Sequence, residues 1–331
     1  MRGRTLRRTS RADWLFVIAA GAIRSDNAPH MLCRYSLIVA LLLSRIAASP
    51  ADEVADPEDA LTQDTLFAAP TEFDRVGRIV APVVINGRGP FNLLVDTGAN
   101  STTFSTRLAD ELGIDYRNGR NIIVNGVTGR AMVPMALVEH LQAGALILRD
   151  QEVPIVDPRV MADADGILGI AALTDKQLVV DFRRNRVSLG NSRRLPGYLM
   201  IIKARRLPAG LLVAPALVGS VRTLAIIDTG AQRTLGNRAL QAALRGLRRA
   251  SVTVPVQGVT PDIAEGTQTR IENIALGQVL VNNSRVTFGD FHVFDIWDLN
   301  DKPALILGMD VIGRVDVFVI DFRRQEIGFR S

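Results

Sequence analysis

The sequence predicts a mainly β protein made of two related halves. Three observations carry this. Val, Ile and Leu are concentrated in short runs within a 331-residue chain that is 47% hydrophobic but only 5% aromatic, a composition suited to strands rather than long amphipathic helices. FNLLVDTGAN (residues 91–100) returns as LAIIDTGA (residues 224–231), each driving an acid out of the end of an apolar run. Around these, four landmarks recur in one order. LLVDTGANSTTF, VNGVTG, DGILGI and LVVDFRRNRVSLG are matched by AIIDTGAQRTLG, VQGVTP, LILGMD and VFVIDFRRQEIGF. Gly98 and Gly169 lie 71 residues apart and Gly230 and Gly308 78 apart, while the steps from Gly169 to Asp181 and from Gly308 to Asp321 are 12 and 13. Such spacing marks an internal duplication.

The chain opens on a basic leader. The formal net charge is +5, but residues 1–30 carry +4 and residues 31–51 carry +2, which leaves −1 for residues 52–331. The basicity therefore belongs to the N-terminal segment, and no nucleic-acid partner is expected. MLCRYSLIVALLLSRIAASPAD combines a short basic start, an apolar centre and small residues, the pattern of an export signal peptide beginning at Met31. Its apolar centre is far shorter than the roughly 20 residues of a membrane-spanning helix, so no stable membrane span is expected. A disordered basic tail is the alternative for this region. Residues 1–51 are assigned to the signal and its upstream extension, and the expected location is the bacterial periplasm or the medium.

The single cysteine, Cys33, falls inside that signal, so thiol catalysis and zinc–cysteine sites are excluded for the mature chain. Past the leader only His140 and His292 remain, neither near a Gly-x-Ser-x-Gly elbow nor in a His-Glu-x-x-His pair. Serine-triad and zinc-hydrolase chemistry are excluded as well. Both histidines read as surface or strand residues. No metal site and no cofactor are expected.

Residues 52–74 are acidic with two prolines and read as a solvated linker. Residues 75–192 form the first expected lobe. It opens with two apolar runs joined by Asn86-Gly87, a strong hairpin signal that places Asp96 at the end of the second strand. STRLADELG predicts a short helix capped by Ser105 and Gly113, and NRALQAALRG its counterpart between Asn237 and Gly246. The second lobe is assigned to residues 193–331, with the join near NSRRLPGY. Arg183, Arg184, Arg323 and Arg324 are read as charges on edge strands that discourage aggregation. Asp165 has no partner in the second half and is given no catalytic role.

Asp-Thr-Gly-Ala after an apolar strand, a Gly-bearing hairpin some thirty residues on, and Ile-Leu-Gly later, all twice over, resemble the aspartic protease family. The Ala after Gly resembles its retroviral-type (retropepsin-like) branch rather than pepsin. The resemblance covers about residues 75–331. It implies an acid-protease fold of two homologous closed β-barrel lobes with a catalytic cleft between them, fused in one chain as a pepsin-like pseudo-dimer. It implies Asp96 and Asp228 as the catalytic pair, Thr97 and Thr229 as hydroxyls bonding across the lobe interface, and Gly98 and Gly230 as close-packing residues behind the acids. It implies Ile167-Leu168-Gly169 and Ile306-Leu307-Gly308 as apolar segments behind each acid loop.

It also implies flaps at Gly126, Val127 and Thr128 and at Gly258, Val259 and Thr260, although ordinary surface hairpins carry the same signature. The chemistry has its own logic. Amide hydrolysis without metal or covalent nucleophile needs one group to take a proton from water and another to give one to the carbonyl oxygen, and two carboxyls sharing a proton supply both. The expected function is an exported aspartic endopeptidase, a hydrolase acting on a protein or peptide substrate as a monomer with pseudo-two-fold symmetry. The alternative is a catalytically silent peptide-binding module of the same fold.

Overall fold

The computed structural model describes residues 77–161, 164–244 and 250–331, together with the backbone strands Leu15–Phe16, Thr65–Pro70 and Glu72–Phe73. The expected signal sequence and Cys33 lie outside the described residues, as does Gly246.

Each half closes a six-stranded ring. In the first, Ile79–Ile85 pairs with Arg88–Asp96, which runs parallel to Gly166–Gly169. The ring continues through Thr103–Ser105, Leu146–Val156 and Arg130–Ala143. It closes where Val84 and Ile85 pair with Gln142 and Leu141. The second ring repeats the path through Leu212–Val218, Val221–Ile227, Ala304–Leu307, Leu235–Gly236, Val279–Phe288 and Ile263–Leu276. It closes at Leu217 and Val218 against Ala275 and Ile274. Closure leaves few free edges for such short strands. The turn between the first two strands is built on Asn86 and Gly87, both left-handed at φ 48° and 75°, the backbone that an Asn-Gly hairpin turn requires.

A third sheet joins the lobes. Its order is Met200–Lys203, Glu326–Arg330, Val317–Asp321, Lys176–Asp181, Arg186–Asn191 and Thr65–Pro70. The seam is the antiparallel pair of Lys176–Asp181 with Val317–Asp321. Val317 through Asp321 are all buried. Val179, Val317 and Val319 pack with Leu195 and Leu199 on one face, and Leu178, Val180, Phe318 and Ile320 join the main core on the other. This two-sided burial explains why those strands read as unbroken apolar runs. Each such side chain contributes about 1.5–3 kcal/mol of hydrophobic stabilisation.

Three expectations are corrected. Part of the 52–74 stretch is not linker: Thr65–Pro70 pairs with Arg186–Asn191, and Glu72–Phe73 with Val80 and Ile79. The acids are concentrated in residues 52–64, and the uncharged run TLFAAP that follows can add to a sheet edge. The arginine pairs sit in hairpin turns rather than on strands. The carboxylates of Asp181 and Asp321 accept the backbone N–H of Arg184 and Arg324, and Asn185 and Gln325 are left-handed. Side-chain caps of this kind compete with strand pairing and end it. His292 is not strand filler: it begins the helix His292–Ile296.

The helices start where expected. Ser105 accepts the Leu108 N–H at the head of Thr106–Leu112, which Gly113 ends at φ 70°. Asn237 accepts the Leu240 N–H at the head of Arg238–Ala243. Asp165 is structural: it accepts the Asn92 N–H and an ion pair from Arg107. At the N-terminal end, Leu15 and Phe16 run parallel to Val124 and Asn125. Among the described residues no helix is long and apolar enough to cross a membrane.

Candidate active site

Asp96 and Asp228 leave their strands at equivalent points. Gly169 pairs with Asp96 and Leu307 with Ile227, both in parallel. The Ile-Leu-Gly segments thus lie directly behind the acid loops. A Cβ on Gly169 would come within 2.5 Å of the Ser101 carbonyl oxygen, and one on Gly308 within 2.7 Å of the Arg233 carbonyl carbon, so only glycine lets the loop pass so closely. Backbone bonds from Ile170 to Ala99 and from Met309 to Ala231, both 2.8 Å, pin the loops there.

The two loops grip each other through their threonines. Thr97 Oγ1 accepts the Thr229 N–H at 3.0 Å and donates to the Ile227 carbonyl at 2.9 Å. Thr229 Oγ1 accepts the Thr97 N–H at 3.1 Å and donates to the Val95 carbonyl at 2.6 Å. Every polar atom of both hydroxyls is used, in surroundings with almost no solvent exposure. The grip brings the carboxyls into hydrogen-bonding contact. A Cβ on Gly98 would stand 2.5 Å from Asp228 Oδ2 and one on Gly230 2.5 Å from Asp96 Oδ1, so each glycine makes room for the acid of the other lobe.

The electrostatics follow from this geometry. Asp96 Oδ1 accepts the Gly98 N–H at 2.8 Å, and Asp228 Oδ1 accepts those of Gly230 and Ala231 at 2.8 and 3.0 Å. Oδ2 of both acids has no donor among the described protein groups. Both side chains are fully buried. Burial pushes Asp96 up to about 6, against the opposing pull of the Gly98 amide, of Asp228 and of the Arg78 guanidinium. Burial, and then the charge of Asp96, push Asp228 well above the ordinary carboxylate range. Two buried carboxyls in contact cannot both ionise cheaply, so the pair holds a proton between them.

The Gly126-Val127-Thr128 and Gly258-Val259-Thr260 turns meet each other. Thr128 Oγ1 and Thr260 Oγ1 are 3.2 Å apart, and a Cβ on Gly126 would touch Thr260 and Val259. Val259 of the second lobe packs with Leu94, Ala99, Val124, Val133 and Ile167 of the first, beside the Asp96 loop. Val127 and Thr260 are fully buried. The two tips thus cross between the lobes rather than standing as separate surface hairpins.

Sequence reasoning missed several neighbours. Arg78, 2% exposed, donates to the Met161 carbonyl at 3.1 Å on the first-lobe side of the cleft. His292 Nε2 lies 3.2 Å from Asn125 Oδ1 at the base of the first tip. Asp310 accepts the Thr234 hydroxyl at 2.7 Å, and that hydroxyl accepts the Gly308 N–H. Burial raises the Asp310 carboxyl above its usual value. The signal for Arg78 was a charge leading an apolar run. None existed for the other two, since their contacts join segments far apart in sequence. Among the described residues no cluster of His, Cys, Asp and Glu is disposed to hold a metal.

A search of curated proteins found no match. A family model described as aspartyl protease matches residues 81–172 and again 214–311, together more than half of the chain and one match in each barrel. With a doubled retropepsin-like match laid over two closed barrels and an Asp-Thr-Gly loop from each, the chain belongs to the aspartyl protease family.

Proposed function

We propose that the protein is an exported aspartic endopeptidase in which Asp96 and Asp228 together activate one water molecule. The observation that carries this reading is the contact of two fully buried carboxyls, held by the reciprocal Thr97 and Thr229 bonds and each left with an oxygen that no protein donor occupies. A singly protonated pair can accept a proton from water with one carboxyl while the other donates to the scissile carbonyl oxygen. The crossed apolar tips supply a cover that can lift for an extended peptide and close to exclude water, and the apolar residues beneath them suit a peptide with apolar side chains flanking the cleaved bond. Export is supported by the leader pattern of residues 31–51.

The test is digestion of a mixed peptide library by the full-length protein, with and without a pepstatin-like inhibitor, beside Asp96→Asn and Asp228→Asn. Inhibitable cleavage that either substitution reduces at least a thousandfold is expected. Inert wild type that still binds peptides would establish the silent binding module instead, and full activity in either variant would end the dyad reading. Sequencing the N-terminus of secreted material reads the export proposal, which predicts a mature end after the AASPA segment.

A further inference from the structure

The two lobes match closely around their acids, with one conspicuous difference. Ile79-Val80-Ala81-Pro82 corresponds to Leu212-Val213-Ala214-Pro215, and strand register confirms the match. Val80 pairs with Leu94, two residues before Asp96, and Val213 pairs with Ile226, two before Asp228. Continuing each register by two residues sets Arg78 opposite Asp96 and Leu211 opposite Asp228. Residues directly opposite in an antiparallel pair project to the same side and are near neighbours. Both positions are buried, Arg78 at 2% exposure and Leu211 at 0%. The first lobe thus places a guanidinium where the second places a methyl-terminated side chain.

We propose that Arg78 makes the two acids inequivalent, holding Asp96 as the ionised partner and leaving the shared proton on Asp228. This rests on the protease reading and assigns its roles: Asp96 takes the proton from water, and Asp228 gives its proton to the carbonyl oxygen. An arginine stays charged when buried, and its field in such surroundings is poorly screened. The charged groups bearing on Asp96 are Asp228 and Arg78, alongside the amides of Gly98 and Ala99. The chief influences on Asp228 are burial, Asp96 and the amides of Gly230 and Ala231, with no cation among them. The backbone amides acting on the acids number two on each side, Gly98 and Ala99 for Asp96 and Gly230 and Ala231 for Asp228, so the backbone by itself does not separate the pair. Arg78 breaks that balance. It touches neither water nor substrate in this scheme and acts as a positioning residue for the proton.

The experiment reads each carboxyl alone. Carboxyl-13C NMR titration of full-length Asp228→Asn reports Asp96, and that of Asp96→Asn reports Asp228. With Arg78 in place, Asp96 is expected to titrate about one pH unit below Asp228. Adding Arg78→Leu should erase or reverse that order, and Arg78→Lys should keep it. Asp96 titrating at or above Asp228 with Arg78 present would overturn the proposal, as would an order unchanged by Arg78→Leu. Asp96 at or above Asp228 with native Arg78 overturns the proposal even if the leucine variant does not fold, and Arg78→Gln then supplies the uncharged comparison. In turnover, Arg78→Leu should move the acidic limb of kcat/KM upward by about one unit, whereas a merely structural role would lower kcat and leave the limb in place. The titrations need no turnover, so a wild type that cleaves nothing would refute the protease reading without deciding this one.

Discussion

Replacing Thr97 by Val tests what holds the lobes together at the cleft. The side chains are nearly isosteric, so no cavity forms, but the hydroxyl is lost. Two groups lose their partner: the Thr229 N–H, which donates to Thr97 Oγ1 at 3.0 Å, and the Ile227 carbonyl, which accepts from it at 2.9 Å. Thr229 and Ile227 are 0% and 1% exposed, so water cannot replace the missing bonds. A buried backbone group without a partner costs about 1–3 kcal/mol, which makes the expected destabilisation about 4 kcal/mol. Thr97→Ser keeps the hydroxyl and gives up one methyl, for about 1 kcal/mol.

The measurement is urea unfolding of wild type, both single variants, Thr229→Val and the double valine variant. Thr229→Val should match Thr97→Val because the bonds are reciprocal. The double variant should cost less than the sum, since separating the loops once removes much of what the second hydroxyl had satisfied. Loss of less than about 1 kcal/mol in Thr97→Val would refute the claim that these hydroxyls satisfy buried backbone at the seam.

Two further predictions concern charge. Burial raises Asp96 to about 6 and pushes Asp228 well above the ordinary carboxylate range, so the pair takes up a further proton as pH falls through about 6. Peptide hydrolysis should therefore fall off below about pH 6. Ala99 and Ala231 add no hydroxyl that would stabilise the ionised form, and an optimum near pH 2 would contradict the burial argument. The same shift has a consequence for stability. An acid whose folded affinity for protons exceeds its unfolded one is neutral to stability below the unfolded value near 4 and costs stability as pH rises toward the folded value. Asp228→Asn should melt higher than wild type at pH 8, with the difference shrinking toward pH 4. A difference independent of pH would show that the carboxyl's ionisation is not what burial opposes.

Much of this molecule is local and therefore readable from sequence. The Asn86-Gly87 turn, the Ser105 and Asn237 caps and the strands leading to Asp96 and Asp228 depend on residues within a few positions of one another, where backbone preference and periodicity act directly. The duplication added long-range information, because two copies of one pattern imply two copies of one geometry. Misreadings arose where the deciding partner was distant. TLFAAP reads as linker in the sequence because its mate, Arg186–Asn191, lies over a hundred residues away, and the arginine pairs read as strand because the turns that hold them are made by the Asp181 and Asp321 carboxylates capping the chain three residues on.

What the sequence by itself determined is the identity of the two acids and the barrels that carry them, since composition, turn chemistry and repetition are properties of the chain. Only the tertiary structure decided that the acids touch, that each glycine faces the acid of the other lobe, and that Arg78 stands opposite one acid while Leu211 stands opposite the other. The place of Arg78 follows from the hairpin register, which a bulge between Val83 and Ile85 shifts; the other two facts arise from the pairing of Lys176–Asp181 with Val317–Asp321 and from the threonine grip. Both join residues well over a hundred positions apart, and that distance in sequence carries no local signal.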